Sequence, residues 1–413
     1  MYFKNTAVPR GHVFLSPRQV IKGISHIQDK DEHAITAFEH AFARYIGVKH
    51  AVAVGSAKAG LVMLMRAMGA VPGNGVIIAG YNVPEVPSVL KALQLRVLTA
   101  DIDPENYNID PNQVKRYANK AKFLIVTHLY GNPAPMDALM PVAKKNGLKV
   151  IEDCAQALGA GFRGKRLGAS GNPAIFSFGM MKNLTALGGG MVTTSDDRIA
   201  AGLRKQRAMG SRQSTGDLVL SMLRGIVLSA GTDKRVFPMF FGVLRTLEKA
   251  VPGLIYRVMK SRPAQWEDGI LNIDNLIFRM HPAQAAMGLA GLDEVDKTAR
   301  FRIHDAETLR GELQGQPDIG LPGTVAGAEP VWTNFVVRVN HRESIKRQMI
   351  DCGFDTTWGY LAAVDRIADQ GDCPHARTLQ QKNLYLPLSP GHGIKVMQDM
   401  ARCLIKAVEK GEK

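Results

Sequence analysis

The strongest constraint on this chain is a repeated alternation in its first half. Short, unbroken apolar runs are separated by segments of helical period. The runs are HAVAVGS (50–56), GVIIAGYN (75–82), LRVLTADID (95–103), AKFLIVTHLYG (121–131), GLKVIEDCAQ (147–156) and AIFSFG (174–179). ITAFEHAFARYI (35–46) precedes them, and AGLVMLMRAMG (59–69), VPSVLKALQ (86–94), DPNQVKRYANK (110–120) and MDALMPVAKKNG (136–147) lie between them. A strand that is apolar on both faces needs a cover on each side. Helical connections supply that cover and leave neighbouring strands parallel. The pattern therefore predicts an α/β fold with a mostly parallel central sheet. Ligands of such sheets sit beyond the carboxyl ends of the strands. That rule singles out Gly55–Ala57, Tyr81–Val83, His128–Tyr130, Asp153–Gln156 and Ser177–Lys182.

The chain has 413 residues, more than one core usually supports, so a large and a smaller domain are expected. Residues 1–34 read as an N-terminal segment, 35–210 as the large domain, 211–275 as an apolar, basic insertion, and 276–413 as a long helix with a small α+β domain. The small domain opens near NFVVRV (334–339) and closes on KVMQDMARCLIKAVEK (395–410).

The formal net charge of +15 suggests acidic partners such as phosphorylated ligands. The basic residues are scattered and form no recognition motif, so nucleic acid is not an expected partner. The cysteines, Cys154, Cys352, Cys373 and Cys403, form no CxxC pair, so no metal site is expected. The start has no apolar signal core, and no apolar run is long enough to span a bilayer. A cytoplasmic protein with four free thiols is the expectation.

Lys182 stands in FSFGMMKNLTALGGGM, between two methionines and a triple glycine. Desolvation favours a neutral, nucleophilic amine, the chemistry of Schiff-base lysines. Asp153 ends the preceding strand and would share the same sheet edge. Pyridoxal 5′-phosphate (PLP) needs such a lysine, an aspartate for its pyridine nitrogen and a phosphate cradle. Ser56 and Ala57, at a strand-to-helix turn, and the hydroxyl of Ser177 offer that cradle.

The stretch 128–194, with VPGNGVIIAG, DIDPENYNIDP, RMHPAQAAMGLAGLDEVD and LYLPLSP elsewhere, resembles the DegT/DnrJ/StrS-type aminotransferases, which are fold-type-I PLP enzymes. The resemblance implies transfer of an amino group from an amino acid such as glutamate to a keto sugar, mostly nucleotide-linked. It implies a homodimer with shared active sites. It makes Lys182 the Schiff-base lysine and proton shuttle, and pairs Asp153 with the pyridine nitrogen. Gln156 lies near the phenolic oxygen, and Ser56, Ala57 and Ser177 hold the phosphate. Members that deoxygenate sugars carry histidine at the Lys182 position, so dehydration is disfavoured.

Several positions depart from that pattern. Ala57 lacks a threonine hydroxyl, and Val83 stands where an aromatic residue stacks on the ring, with Tyr81 as the nearby alternative. Gly188 replaces a glutamate. Ile277 replaces an asparagine that reaches a partner subunit's phosphate, with Asn275 as the substitute. The insertion is expected either to pad a protein interface or to lie against the inner face of a membrane. Two alternatives to a nucleotide-sugar enzyme stay open: an aminotransferase for a membrane-associated or non-nucleotide substrate, and a PLP-binding regulatory protein without turnover.

Overall fold

The structure is a computed structural model and describes residues 7–251, 266–267, 270–271, 273, 276–388 and 391–411. Its centre is a seven-stranded sheet: β1 (His50–Val54), β2 (Gly75–Ala79), β3 (Arg96–Ala100), β4 (Phe123–Thr127), β5 (Lys149–Asp153), β6 (Ala174–Ser177) and β7 (Gly190–Thr194), in the order β1-β7-β6-β5-β4-β2-β3. Strands β3, β2, β4, β5 and β6 run parallel to one another. Strand β7 is antiparallel to both β6 and β1. The expectation of a mostly parallel sheet is met.

Alternate strand residues feed opposite faces, as the two-residue period requires. Val76 and Ile78 enter one core with Val52, Val54, Val62 and Met65. Ile77 and Ala79 enter another with Leu98, Val126, Val114 and Leu139. Both faces are covered, which is why the strands read as continuous apolar runs. Along the other half of that second face, α2 (His33–Ile46) sets Phe38 and Phe42 one turn apart. Phe42 meets Phe176 at 5.0 Å and Phe178 at 5.5 Å between ring centroids. Phe178 is the residue just past Ser177, so this ring cluster fixes the start of the Lys182 loop.

The sheet helices include α3 (Ala57–Ala67), α4 (Glu85–Ala92), α5 (Pro111–Tyr117), α6 (Met136–Lys145) and α7 (Asp197–Met209). The N-terminal segment forms α1 (Pro17–Ser25), capped by Ser16 and Gln19 in a capping box. Two helices follow α7: α8 (Thr215–Gly231) and α9 (Phe237–Ala250). The long helical pattern after His281 divides into α10 (Pro282–Leu292) and α11 (Val295–Leu313).

A second, smaller sheet joins β8 (Ile319–Gly320), β9 (Phe335–Val339) and β10 (Asn383–Leu386). It shares a core with α11, α12 (Arg342–Asp351) and α14 (Ile394–Gly411), with α13 (Pro374–Lys382) beside it. One expectation fails here. Cys352 and Cys403 are joined in a disulfide, while Cys154 and Cys373 are free and buried. The bonded residues are 51 apart in sequence, so spacing gave no sign of the pair. The packing of α12 on α14 brings their Cα atoms to 6.7 Å, within disulfide reach.

Phe42 is fully buried, and four aromatic rings surround it. Truncating such a side chain removes both burial and dispersion contacts. Phe42→Ala is expected to lower unfolding stability by about 3–5 kcal/mol, measurable as a drop in the urea midpoint.

Candidate active site

The site is built around a glycine. Register across three strands aligns Val54, Gly190 and Ser177. A Cβ on Gly190 would stand 2.7 Å from the Phe176 carbonyl oxygen, 2.8 Å from the Ala57 nitrogen and 2.9 Å from the Ser56 carbonyl carbon. No side chain fits there, so β7 can lie directly against the turn that opens α3. That close approach brings the Ser56–Ala57 turn and Ser177 to one edge.

Ser56 is extended and caps α3, its Oγ accepting from Ala59 N at 3.1 Å. The first bond of the α3 ladder is Gly60 N to Ser56 O. Ala57 and Lys58 open the helix, where the ladder offers their amides no acceptor. A helix start of this kind favours an anion. Lys58 is half-buried beside it.

Ser177 ends β6 and is half-buried, with its Oγ accepting from Gly179 N at 3.5 Å. Between Ser177 and Lys182 the chain makes a turn, closed by Lys182 N donating to Gly179 O at 3.1 Å. A Cβ on Gly179 would be 3.7 Å from Ser177 Oγ and 3.8 Å from Lys182 Cγ. Lys182 is half-buried, and its Nζ donates to Tyr360 Oη at 3.3 Å. The expected apolar enclosure of the lysine is thus corrected. Met181 is 37% exposed, and the amine has a phenol from the small-sheet side as its partner. Tyr360 lies in a loop more than 170 residues from Lys182, and no local motif announced it.

Asp153 ends β5. Ala155 N donates to its Oδ1 at 3.1 Å, and Thr127 Oγ1 to its Oδ2 at 3.4 Å. Burial pushes its pKa above the usual carboxylate range, against the pull of the Ala155 amide, Lys182, His128 and Thr127. The ionised carboxylate is therefore short of solvation, and a cationic partner would supply it. Behind it, His128 Nε2 faces the Glu152 carboxylate at 3.4 Å, with Cys154 close by, all three fully buried. Burial works to raise the Glu152 pKa, but His128, Ser170 and the Gly168 amide outweigh it and hold it below the ordinary value. Those partners already occupy both Glu152 oxygens, which makes the cluster a support for β5.

Gln156 is buried, and its Oε1 accepts from Tyr130 N at 3.2 Å. Tyr81 does not join this group. Its side chain is fully buried, and its hydroxyl accepts from Tyr130 Oη at 3.1 Å and from Asn383 Nδ2. Tyr385 donates to Tyr130 at 3.0 Å and extends the cluster to β10. A residue with no exposed face cannot stack on an incoming ring, so Tyr81 is a tie between the two sheets. Val83 is half-buried. Asn275 lies outside the described residues.

The departure at Gly188 and the residue before it, Leu187, have a physical setting. Leu187 has φ +59°, followed by Gly188 at +143° and Gly189 at +85°. A non-glycine residue in the left-handed region carries a cost of about 1–2 kcal/mol. Leu187 is buried against α8, where a Cβ on Gly225 would be 2.5 Å from its Cδ2. From the other side, Gln19 Nε2 of α1 donates to Thr185 O at 2.9 Å. Helices α1 and α8 thus back the loop that carries Lys182.

A sequence profile for one family matches residues 25–236 and 263–404. The chain belongs to the DegT/DnrJ/EryC1/StrS aminotransferase family. The chain is 31% identical over 367 residues to dTDP-3-amino-3,4,6-trideoxy-α-D-glucose transaminase of Streptomyces venezuelae, spanning 86% of this chain and 82% of the relative. It is 28% identical over 403 residues to UDP-N-acetyl-3-dehydro-α-D-glucosamine 3-aminotransferase of Acidithiobacillus ferrooxidans, spanning 94% of each. The solved structure of S. venezuelae DesV in complex with a ketimine intermediate superposes with a TM-score of 0.71 at 26% identity, covering 96% of this chain and 95% of that one. The family profile breaks only across 237–262, which is narrower than the 211–275 insertion expected from sequence.

Replacing Asp153 separates stability from binding. A carboxyl with a raised pKa binds protons more readily folded than unfolded, so its contribution to stability falls as pH rises through that window. Asp153→Asn is expected to raise the melting temperature of the ligand-free protein at pH 7 and to leave it nearly unchanged at pH 3.5. The same variant should bind PLP more weakly, which thermal scans with and without PLP will read.

Proposed function

We propose that this chain is a PLP-dependent aminotransferase. It moves the amino group of an amino acid, glutamate in the first instance, to the ketone of a nucleotide-linked sugar. The observation that carries this reading is the convergence of Lys182, Asp153, Ser177 and the Ser56–Ala57 turn on one edge of the sheet.

The residues fit the group. A phosphate suits the helix start at Ala57 and the hydroxyls of Ser56 and Ser177. The Gly190 close approach keeps that cradle open to an anion. The under-solvated Asp153 carboxylate suits a protonated ring nitrogen. The Gln156 amide oxygen is taken by Tyr130, which leaves its NH2 to donate to a phenolic oxygen. When bound, PLP supplies an electron sink for the bond broken at the donor's α-carbon. Lys182 would hold the cofactor through its Nζ, and the same amine would carry the proton moved at the donor's α-carbon. Tyr360 holds that amine from the opposite side. The net basic charge favours a diphosphate-bearing acceptor. A homodimer completes the reading, as the family resemblance implies.

Borohydride reduction followed by peptide mapping tests the lysine. The PLP-treated protein should carry a reduced pyridoxyl group on the peptide containing Lys182, and Lys182→Ala should carry none there. Labelling at another lysine only would sink the assignment. Incubation with [15N]glutamate and a keto nucleotide sugar should then place the label in the sugar.

A further inference from the structure

Eleven of the sixteen large hydrophobic residues exposed among the described residues fall on α1 or between Met209 and Val251. Helix α8 is apolar on two sides. Leu218, Met222 and Gly225 face the interior. Val219, Leu220, Leu223, Ile226 and Val227 recur at helical spacing on the outside, with Leu223 57% and Val227 69% exposed. An ordinary surface helix carries polar residues there. Helix α1 touches α8 through Met222, whose Cε would be 3.0 Å from a Cβ on Gly23, and its Ile21 and Ile24 are 65% and 57% exposed. Met239 on α9 is 77% exposed. These exposed apolar residues on α1, α8 and α9 need an occupant.

Charge selects the occupant. Lys22 on α1, Arg224 on α8 and Arg235 between α8 and α9 are exposed, and none is in an ion pair among the described residues. Helix α1 has no acidic residue, and α8 has only Asp217, at its first turn. A second copy packing α1 and α8 on the same helices would offer these cations no acidic partner beyond Asp217. An anionic bilayer satisfies both the apolar face and its cations. No helix among the described residues is long and apolar enough to cross a membrane, so the helices would lie along the surface. We propose that the outer face of α1, α8 and α9 docks this enzyme on an anionic lipid bilayer. That would set the Lys182 loop, which α1 and α8 back, next to the membrane.

Co-sedimentation of the full chain with vesicles tests this. Vesicles of phosphatidylcholine with about 30% phosphatidylglycerol should pellet the protein, and pure phosphatidylcholine should not. The double variant Leu223→Glu/Val227→Glu should lower that binding about ten-fold, as should Lys22→Gln/Arg224→Gln. Both pairs are exposed, so unchanged circular dichroism melts are expected and serve as the folding control. The proposal is overturned if the anionic vesicles fail to pellet the wild type, or if neither double variant changes the binding. It is equally overturned if the glutamate variant halves the mass in sedimentation velocity, since the face would then join two copies of the chain.

Discussion

The site depends on a missing side chain. Gly190 sits in register between Val54 and Ser177, with backbone atoms of Phe176, Ser56 and Ala57 closer than any Cβ tolerates. Because β7 runs antiparallel between β1 and β6, two segments more than a hundred residues apart end beside each other. One is a capped helix start and the other the entry to the Lys182 loop. Hydrophobic packing holds the rest in place. The rings of Phe42, Phe176 and Phe178 fix the far side of β6, and the His128–Glu152 pair supports β5 behind Asp153.

Much of this was legible in the sequence, for a physical reason. Parallel strands covered on both faces must be largely apolar, so 75–79 and 123–127 announce themselves. Strand ends then follow, and with them Asp153, Gln156, Ser177 and Ser56. Contacts made by residues far apart were not legible. Tyr360 reaches Lys182 from a loop of the small-sheet region. Tyr81 was the alternative to Val83 for the ring-stacking position because it lies near it at a strand end. Its burial is decided by Tyr130 and by Tyr385 and Asn383 of β10, which come from two other segments. The Cys352–Cys403 bond was hidden likewise, since it depends on how α12 and α14 pack.

Leu187 and Gly188, where the sequence looks least regular, meet α8 and α10. Leu187 fills the notch at Gly225, and a Cβ on Gly188 would be 2.8 Å from Gln284 Nε2. A glutamate at 188 would be strained at φ +143° and would have to displace the Gln284 amide. The departure at Gly188 and the packing of Leu187 on α8 therefore belong to one contact region. The Lys182 loop here is supported by α1 and α8, so changes on those helices reach the candidate site through packing alone.

Titration of PLP into the purified chain, followed by visible absorbance, is the most direct test of this account. It predicts one saturable site per chain, with affinity sharply reduced by Gly190→Ala because the added methyl displaces the Ser56–Ala57 turn. A wild-type chain that shows no saturable binding of PLP would contradict it.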